Sequence, residues 1–303
     1  MQDILNWGFF FSGLTAATPL VFAALGGLFS ERSGVINIAL EGLLLSGAFT
    51  AAVVTYQTGN PYLGLLCGIG AGIVTAAVYA IAVLEFEADQ VVAGMAINFL
   101  MLGLPALISG VIYDSTGSTP QIDKAQKIPV IFGGLSYATI LALFTVAVAW
   151  YALYKTPFGL RLRAAGENPE AADAAGINVK LLRYSAVIIS GVLAAIGGAF
   201  LATGQSSLFT RGMSAGRGFI ALAALILAKW KPVPVLFACL FFGFTEALTI
   251  QIQGAPGAKI NGEPIPIQFI EMIPYVLTII VLAGFIGLSR APKALGQPYR
   301  KEK

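Results

Sequence analysis

The fold is decided by an apolar stretch near the start of the chain, GFFFSGLTAATPLVFAALGGLF, residues 8–29. It contains no charged residue, and its length matches the roughly 20 residues that a helix needs to cross a hydrocarbon core about 30 Å thick. The stretch has no alternation of polar and apolar residues, which excludes a strand of an outer-membrane barrel. It therefore predicts a membrane-spanning α-helix.

Similar apolar blocks recur along the whole chain. The 303 residues are 57% hydrophobic and 11% charged, whereas soluble domains are about 25% charged. The pattern predicts an all-α integral membrane protein, a polytopic bundle of about nine spans that forms one transmembrane domain over residues 1–303. The predicted spans are 8–29, 35–54, 62–84, 91–112, 136–154, 184–204, 216–229, 233–250 and 268–288.

The lysines and arginines of the loops orient these spans. Thirteen of the eighteen basic residues fall in the loops that share a side with the C-terminal tail, residues 289–303. Because cytoplasmic loops carry an excess of Lys and Arg, we expect the C-terminus in the cytoplasm and the N-terminus outside.

Several function classes are disfavoured by composition. No cluster of basic residues interleaved with aromatics indicates a nucleic-acid surface. Cys67 and Cys239 both lie in apolar runs and the chain has no histidine, which argues against a metal or redox site. The P-loop pattern G-x-x-x-x-G-K-[ST] is absent, so we expect no nucleotide site on this chain.

One polar loop, residues 156–183, has a structure of its own. Asn168 can cap a helix, Pro169 fits its first position, Glu170 suits its positive end, and Gly176 can end it. A helix of about seven residues is too short to be stable alone, since isolated helices need roughly 12–15 residues. It must therefore dock either on its own membrane domain or on a cytoplasmic partner.

Three motifs resemble one transporter family. The loop contains GENPEAADAAGINV (166–179), ERSGVINIALEGLLLSGAF (31–49) overlaps the second span, and GRGFIALAALILAKWKPV (216–233) overlaps the seventh. These stretches resemble the permeases of ABC importers in the branched-chain amino acid, ribose and nucleoside group. The second-span motif is most similar to the nucleoside permeases that work with a lipoprotein, and the short chain resembles their smaller subunit.

The resemblance implies the partners and the site that contacts them. Residues 156–183 would be the coupling loop, which sits in a groove of a cytoplasmic ATPase subunit that binds ATP and Mg²⁺. Its contact residues would be Gly166, Glu167, Asn168, Pro169, Glu170, Ala172, Asp173 and Gly176. The family further implies a prokaryotic plasma membrane, a second permease that is related but different, and a lipoprotein that delivers a small-molecule substrate outside. The predicted outer segments 113–135 and 251–267 are long enough to dock that lipoprotein, although their composition also suits disordered loops.

The leading interpretation is thus a nucleoside importer subunit that works by alternating access and is not itself an enzyme. A branched-chain amino acid or sugar importer is the alternative, and an amino acid would need a carboxylate near the midplane for its amine and helix N-termini facing its own carboxylate. An ATP-independent channel or a membrane enzyme fits less well, because the capped loop has no use without a partner and no nucleophile–base pair is close in sequence.

The stretches 36–45 and 219–227 share an apolar, small-residue character and enter the membrane from opposite sides in this layout. That pattern predicts two inverted-repeat halves with discontinuous or re-entrant helices and a substrate site between them.

Polar and aromatic residues within the spans are candidates for the substrate pathway, since such groups tend to face a bundle interior or a cavity. The candidates are Asn37, Glu41, Gln90, Asn98, Phe99 and Phe219. Asn37 and Glu41, four residues apart, would share one face of the second span, and Asn98 with Phe99 could read and stack on a base. Each could instead bond or pack against a neighbouring helix.

Overall fold

The computed structural model describes residues 7–123, 126–132, 135–254, 259–260, 263–264, 272, 276, 279–280 and 291–300. The helices of these residues are α1 (Trp7–Arg32), α2 (Leu40–Thr58), α3 (Pro61–Leu84), α4 (Gln90–Tyr113), α5 (Tyr137–Lys155), α6 (Pro157–Glu167), α7 (Pro169–Ala174), α8 (Val179–Phe200), α9 (Arg217–Leu227) and α10 (Pro232–Gly254). A π-helical turn, Leu201–Ser206, extends α8. The strands form two antiparallel pairs, β1 (Val130–Phe132) with β2 (Leu135–Ser136), and β3 (Lys259–Ile260) with β4 (Glu263–Pro264).

The starts of six helices are set locally by the side chain just before them. In each case an oxygen of that side chain accepts a backbone N–H of the first turn, which satisfies one of the helix's free donors. The capping residues of α3 to α8 are Asn60, Asp89, Ser136, Thr156, Asn168 and Asn178.

Six of the described helices are long and apolar enough to cross a membrane: α1, α3, α4, α5, α8 with its π-helical turn, and α10. They correspond to six of the predicted spans. The helices at the second and seventh predicted spans, α2 and α9, are not among the six. The ninth, 268–288, lies almost entirely outside the described residues, so the total of about nine stays a prediction.

The centre of the bundle is α8, which packs on α1, α2 and α3. Glycines allow the close approach. A Cβ on Gly198 of α8 would overlap the carbonyl oxygen of Leu44 in α2, and one on Gly72 of α3 would overlap Gly191 and Ala195 of α8. Small residues at such interfaces let helix backbones meet.

Contacts between distant segments define two ends of the bundle. At the α7 end, Arg32 donates to the Trp230 carbonyl (2.7 Å), and the Ala294 N–H donates to the Gly166 carbonyl (2.9 Å). At the opposite end, the Thr119 N–H donates to the Phe209 carbonyl (2.9 Å). The α7 end thus contains the basic segments that the charge count assigned to one side of the membrane. The cytoplasmic placement of this end stays a prediction.

Two basic residues lie elsewhere than the charge count assumed. Arg183, predicted in the coupling loop, is buried in α8, because the Asn178 cap starts that helix at Val179, five residues before the predicted span. Arg217, which the charge count placed outside, lies within the predicted span 216–229 and is the first residue of α9. Hydropathy alone trims polar residues from helix ends, and this placed Arg183 in the loop.

The Gly198 contact generates a stability prediction. We expect Gly198→Ala to lower the thermal midpoint of the purified protein in detergent, because overpacking a tight contact costs about 1–3 kcal/mol. Gly70→Ala is the matched control, since nothing lies within 4 Å of its Cβ position and alanine favours helices. Equal midpoints for the two variants would contradict this account of the packing.

Candidate functional site

The short helix α7 has the local structure that its sequence specifies. The Asn168 side chain accepts the Ala171 N–H at 3.0 Å, and Pro169 is the first helical residue. At the other end Gly176 has a φ of 81°, and its N–H donates to the Asp173 carbonyl at 2.8 Å. The left-handed backbone explains the glycine. The helix also has an unpredicted neighbour, α6, which fills the stretch before it.

The predicted contact residues of this loop divide into two sets. Glu167, Asn168, Glu170 and Gly176 are exposed at the α7 end, and Pro169 and Asp173 are half-buried. Gly166 and Ala172 are buried and face the protein: Gly166 lies against the carbonyl oxygen of Arg32, and Ala172 packs with Ala165 and Val179. The loop therefore docks on its own membrane domain by one face and leaves the other face open for a partner.

A cleft of about 380 Å³ lies beside α7, between it and the end of α3. Its wall includes Glu85, which accepts hydrogen bonds from Lys180 (2.7 Å) and Tyr184 (2.9 Å) at the start of α8. These two bonds hold the pKa of Glu85 below its ordinary value, and the bond from Lys180 has the larger effect. The contact ties the α3–α4 connection to α8, the helix that follows α7.

Residues 35–39, which precede α2, are not helical, and Val35, Asn37 and Ala39 among them are buried. Backbone at this depth needs partners, because an unsatisfied group in an apolar environment costs several kcal/mol. The Gln90 side chain accepts the Ile36 N–H at 2.8 Å, and the Tyr79 hydroxyl donates to the Ile36 carbonyl. Gln90 is 5% exposed. The predicted pathway residue Gln90 is thus engaged with this segment.

Asn98 binds the same part of the chain. Its amide donates to the Ile38 carbonyl at 2.9 Å and accepts the Gly42 N–H at 2.8 Å. Phe99, in contrast, is 64% exposed on the outside of α4. The structure therefore does not bring Asn98 and Phe99 together as a pair, because neighbouring residues on a helix point about 100° apart.

Asn37 is also placed differently from the prediction. It lies before α2 rather than on a helical face shared with Glu41, because the chain is unwound until Leu40. The side chain is fully buried and donates to the Ser190 hydroxyl at 2.7 Å. Its amide oxygen has no hydrogen-bond partner among the described residues.

Glu41 joins α2 to the start of α9. Its carboxylate accepts the Ser214 hydroxyl (2.6 Å), the Gly216 N–H (2.8 Å) and the Gly218 N–H (2.6 Å). A carboxylate suits this place, since a helix N-terminus presents free N–H groups and a partial positive charge. From the junction α2 runs to the opposite end and α9 runs to the α7 end, as expected for discontinuous helices of opposite direction.

The rest of α9 contributes one predicted pathway residue and one ion pair. Phe219 is 42% exposed. Arg217 binds Glu246 of α10, and both side chains are largely buried. An ion pair between the two helices compensates two charges that would otherwise be costly at this depth.

Four residues in or next to the α1–α2 connection were not among the sequence candidates: Glu31, Tyr79, Arg183 and Trp230. Tyr79 contacts Ile36, the Trp230 indole N–H donates to Glu31, and Arg183 donates to the Ser33 carbonyl. In the sequence, Glu31 and Arg183 stand out as charged residues beside apolar runs, and this could have marked them as candidates. Tyr79 and Trp230 gave none, because amphipathic aromatics are ordinary residues of membrane helices.

Comparison with known proteins gives one family over most of the chain. The family described as "Branched-chain amino acid transport system / permease component" matches residues 9–282. The guanosine ABC transporter permease protein NupQ of Bacillus subtilis is 44% identical and aligns over 96% of this chain and 95% of its own length. The nucleoside ABC transporter permease protein NupC of Lactococcus lactis is 40% identical, with 96% of each chain aligned.

Solved structures agree at the level of the fold. An inward-facing metal-chelate type ABC transporter has a TM-score of 0.52 at 15% identity and covers 92% of this chain and 86% of that one. PsaBC from Streptococcus pneumoniae has a TM-score of 0.51 at 16% identity, covering 93% and 91%. From the family match and the two near-full-length relatives, the chain belongs to the branched-chain amino acid transport system permease components, which are membrane subunits of ABC transporters.

Proposed function

We propose that this chain is the permease subunit of an ABC importer that takes up nucleosides by alternating access. The observation that carries the proposal is the near-full-length similarity to NupQ and NupC, whose names give guanosine and nucleosides as substrates. A sugar is the second candidate, because the putative glucose permease TsgC13 of Haloferax volcanii is 36% identical over 95% of each chain.

The α7 end would meet the ATPase. A capped helix with one face docked and Glu167, Asn168 and Glu170 exposed is suited to enter a groove on a partner. ATP and Mg²⁺ would bind that partner, and the α7 end would be cytoplasmic, with the N-terminus of the chain outside. Closure of the ATPase would then push α7 and, through it, the bundle.

The occupied end of α9 favours a neutral substrate over an amino acid. Transporters with discontinuous helices use free helix N-termini to bind an anionic substrate group. Here the carboxylate of Glu41 already takes the N–H groups of Gly216 and Gly218. A substrate carboxylate would compete with Glu41 for these donors, whereas a nucleoside or a sugar has no need of them.

A second, different permease would complete the membrane part. Bacillus subtilis also has NupP, which is 28% identical to this chain, and the chain covers 79% of NupP against 95% of NupQ. Lactococcus lactis likewise has two such permeases. NupB is 22% identical to this chain, which aligns with 79% of its length, against 96% of NupC. The recurring longer relative supports a heterodimer of this chain with such a permease.

A lipoprotein outside the membrane would deliver the substrate to the opposite end. The chain before β1 is fixed there, because the Ile122 N–H donates to the Ser207 carbonyl at 2.7 Å and the Arg211 N–H donates to the Gly117 carbonyl at 2.8 Å. An ordered outer segment suits a docking surface better than a disordered loop would. Most of the second outer segment, 251–267, lies outside the described residues.

The proposal is tested by transport. The chain would be reconstituted in liposomes with its ATPase, second permease and lipoprotein, and uptake of labelled guanosine measured. We expect uptake that requires ATP and is inhibited by unlabelled inosine or adenosine but not by leucine. Inhibition by glucose alone would replace the nucleoside assignment with a sugar, and by leucine alone with an amino acid.

The ATPase contact is tested on the coupling loop. We expect Glu167→Ala combined with Gly176→Pro to prevent the ATPase from co-purifying, because proline cannot adopt the φ of 81° at residue 176 and α7 would lose its end. Glu87→Asn is the control: residue 87 is exposed at the same end and its φ of 53° is tolerated by asparagine. Normal co-purification with the double variant would refute the contact.

The role of Glu41 is tested by separating stability from binding. We expect Glu41→Ala to lower the thermal midpoint sharply, because three buried donors would lose their acceptor at about 1–3 kcal/mol each. Glu167→Ala, which removes an exposed carboxylate, should leave the midpoint unchanged. If Glu41→Ala keeps its midpoint and loses only guanosine transport, Glu41 contacts the substrate and the structural role is wrong.

A further inference from the structure

The C-terminal segment 291–300 lies against the α7 end and joins parts of the chain that are far apart in sequence. The Ala294 N–H donates to the Gly166 carbonyl at 2.9 Å, just before α7, and the Gly296 N–H donates to the Gly34 carbonyl at 3.0 Å, just after α1. Ala294 is 3% exposed. The segment is therefore inserted between the coupling loop and the α1–α2 connection.

Arg183 is the buried residue on which this segment rests. It is 1% exposed, and it donates through Nε to the Ser33 carbonyl at 3.2 Å and through Nη1 to the Gln297 carbonyl at 3.0 Å. No carboxylate forms an ion pair with it among the described residues. The Ser33 carbonyl follows the C-terminus of α1, where a helix carries partial negative charge that favours a cation.

Tyr299 connects Arg183 to α7. The guanidinium carbon of Arg183 lies 5.9 Å from the centre of the Tyr299 ring, within reach of a cation–π interaction. The ring packs on the cluster of Ala165, Ala172 and Val179. The Tyr299 hydroxyl donates to Asp173. Partial burial and, to a smaller extent, this hydrogen bond raise the pKa of Tyr299.

The helix α7 needs such a support. It has six residues, of which Ala172 is the buried one, and helices of that length are not stable alone in water. Its caps fix its ends, but the side chain of Tyr299 supplies a contact from outside the loop. The linkers to α6 and α8 are one residue, Asn168, and four residues, 175–178.

We infer that residues 294–299 form a clamp that holds α7 on the bundle, and that Arg183 is the positioning residue of this clamp. A displacement of α7 then reaches Ser33 and the unwound residues 35–39 through Tyr299 and Arg183, in addition to the covalent route through α8. The role of the clamp in coupling rests on the proposed ATPase contact. Its role in holding α7 on the bundle is independent of that contact.

The holding of α7 is tested by hydrogen exchange on the purified full-length chain, without any partner. We expect Tyr299→Phe to speed exchange of the α7 amides about tenfold, as for loss of one hydrogen bond to a charged group, and Tyr299→Ala to speed it further. Arg300→Ala is the matched control, because Arg300 is 87% exposed and lies 3.7 Å from an exposed Glu87, an ion pair of little energetic value. Unchanged exchange in Tyr299→Ala would overturn the clamp.

The positioning role of Arg183 is tested in the reconstituted complex by the ratio of ATP hydrolysis with and without the guanosine-loaded lipoprotein. We expect Arg183→Met and Tyr299→Ala to lower this ratio several-fold while the ATPase still co-purifies, and Arg183→Lys to restore part of it. Tyr299→Ala provides the same test if Arg183→Met does not fold. An unchanged ratio in Tyr299→Ala would refute the coupling role, whereas a wild-type complex with no response to guanosine would refute the proposed function instead.

Discussion

The structure depends on one constraint: residues 35–39 run through the bundle without helical hydrogen bonds, and each of their polar backbone groups needs a partner there. Gln90 and Tyr79 bind Ile36, Asn98 binds Ile38, and the Ser30 hydroxyl donates to the Val35 carbonyl at 2.8 Å. These side chains come from α1, α3 and α4. The unwound segment therefore fixes how three helices are arranged around the start of α2.

The position of α2 in turn determines that of α9. Because α2 begins beyond the unwound segment, Glu41 lies inside the bundle in its first turn, where it binds the start of α9. The α9 helix has eleven residues, about 16 Å at 1.5 Å per residue, roughly half of a hydrocarbon core. Two helices of opposite direction thus meet by their N-termini, an arrangement that can move without breaking a continuous helix.

The same α1–α2 connection links the interior to the α7 end. Arg183 binds the carbonyl of Ser33, three residues before Ile36, to which Tyr79 and Gln90 bind. On its other side Arg183 meets Tyr299, which contacts α7. A partner that pushed α7 would act on the backbone that positions Glu41, so the proposed ATPase contact would have a short physical route to the interior of the permease.

The sequence by itself determined whatever depends on neighbouring residues: the apolar spans, their grouping into two ends, and α7 with its cap at Asn168 and its left-handed end at Gly176. These follow from hydrophobic length and from local backbone hydrogen bonds, which a short window contains. Only the tertiary structure decided what the buried polar side chains bind. The sequence left Gln90 and Asn98 open between a substrate and a neighbouring helix, and in the structure they bind an unwound backbone 54 and 60 positions away. The clamp at Tyr299 was likewise hidden, because its contacts join residues more than a hundred positions apart, and no local pattern records such a distance.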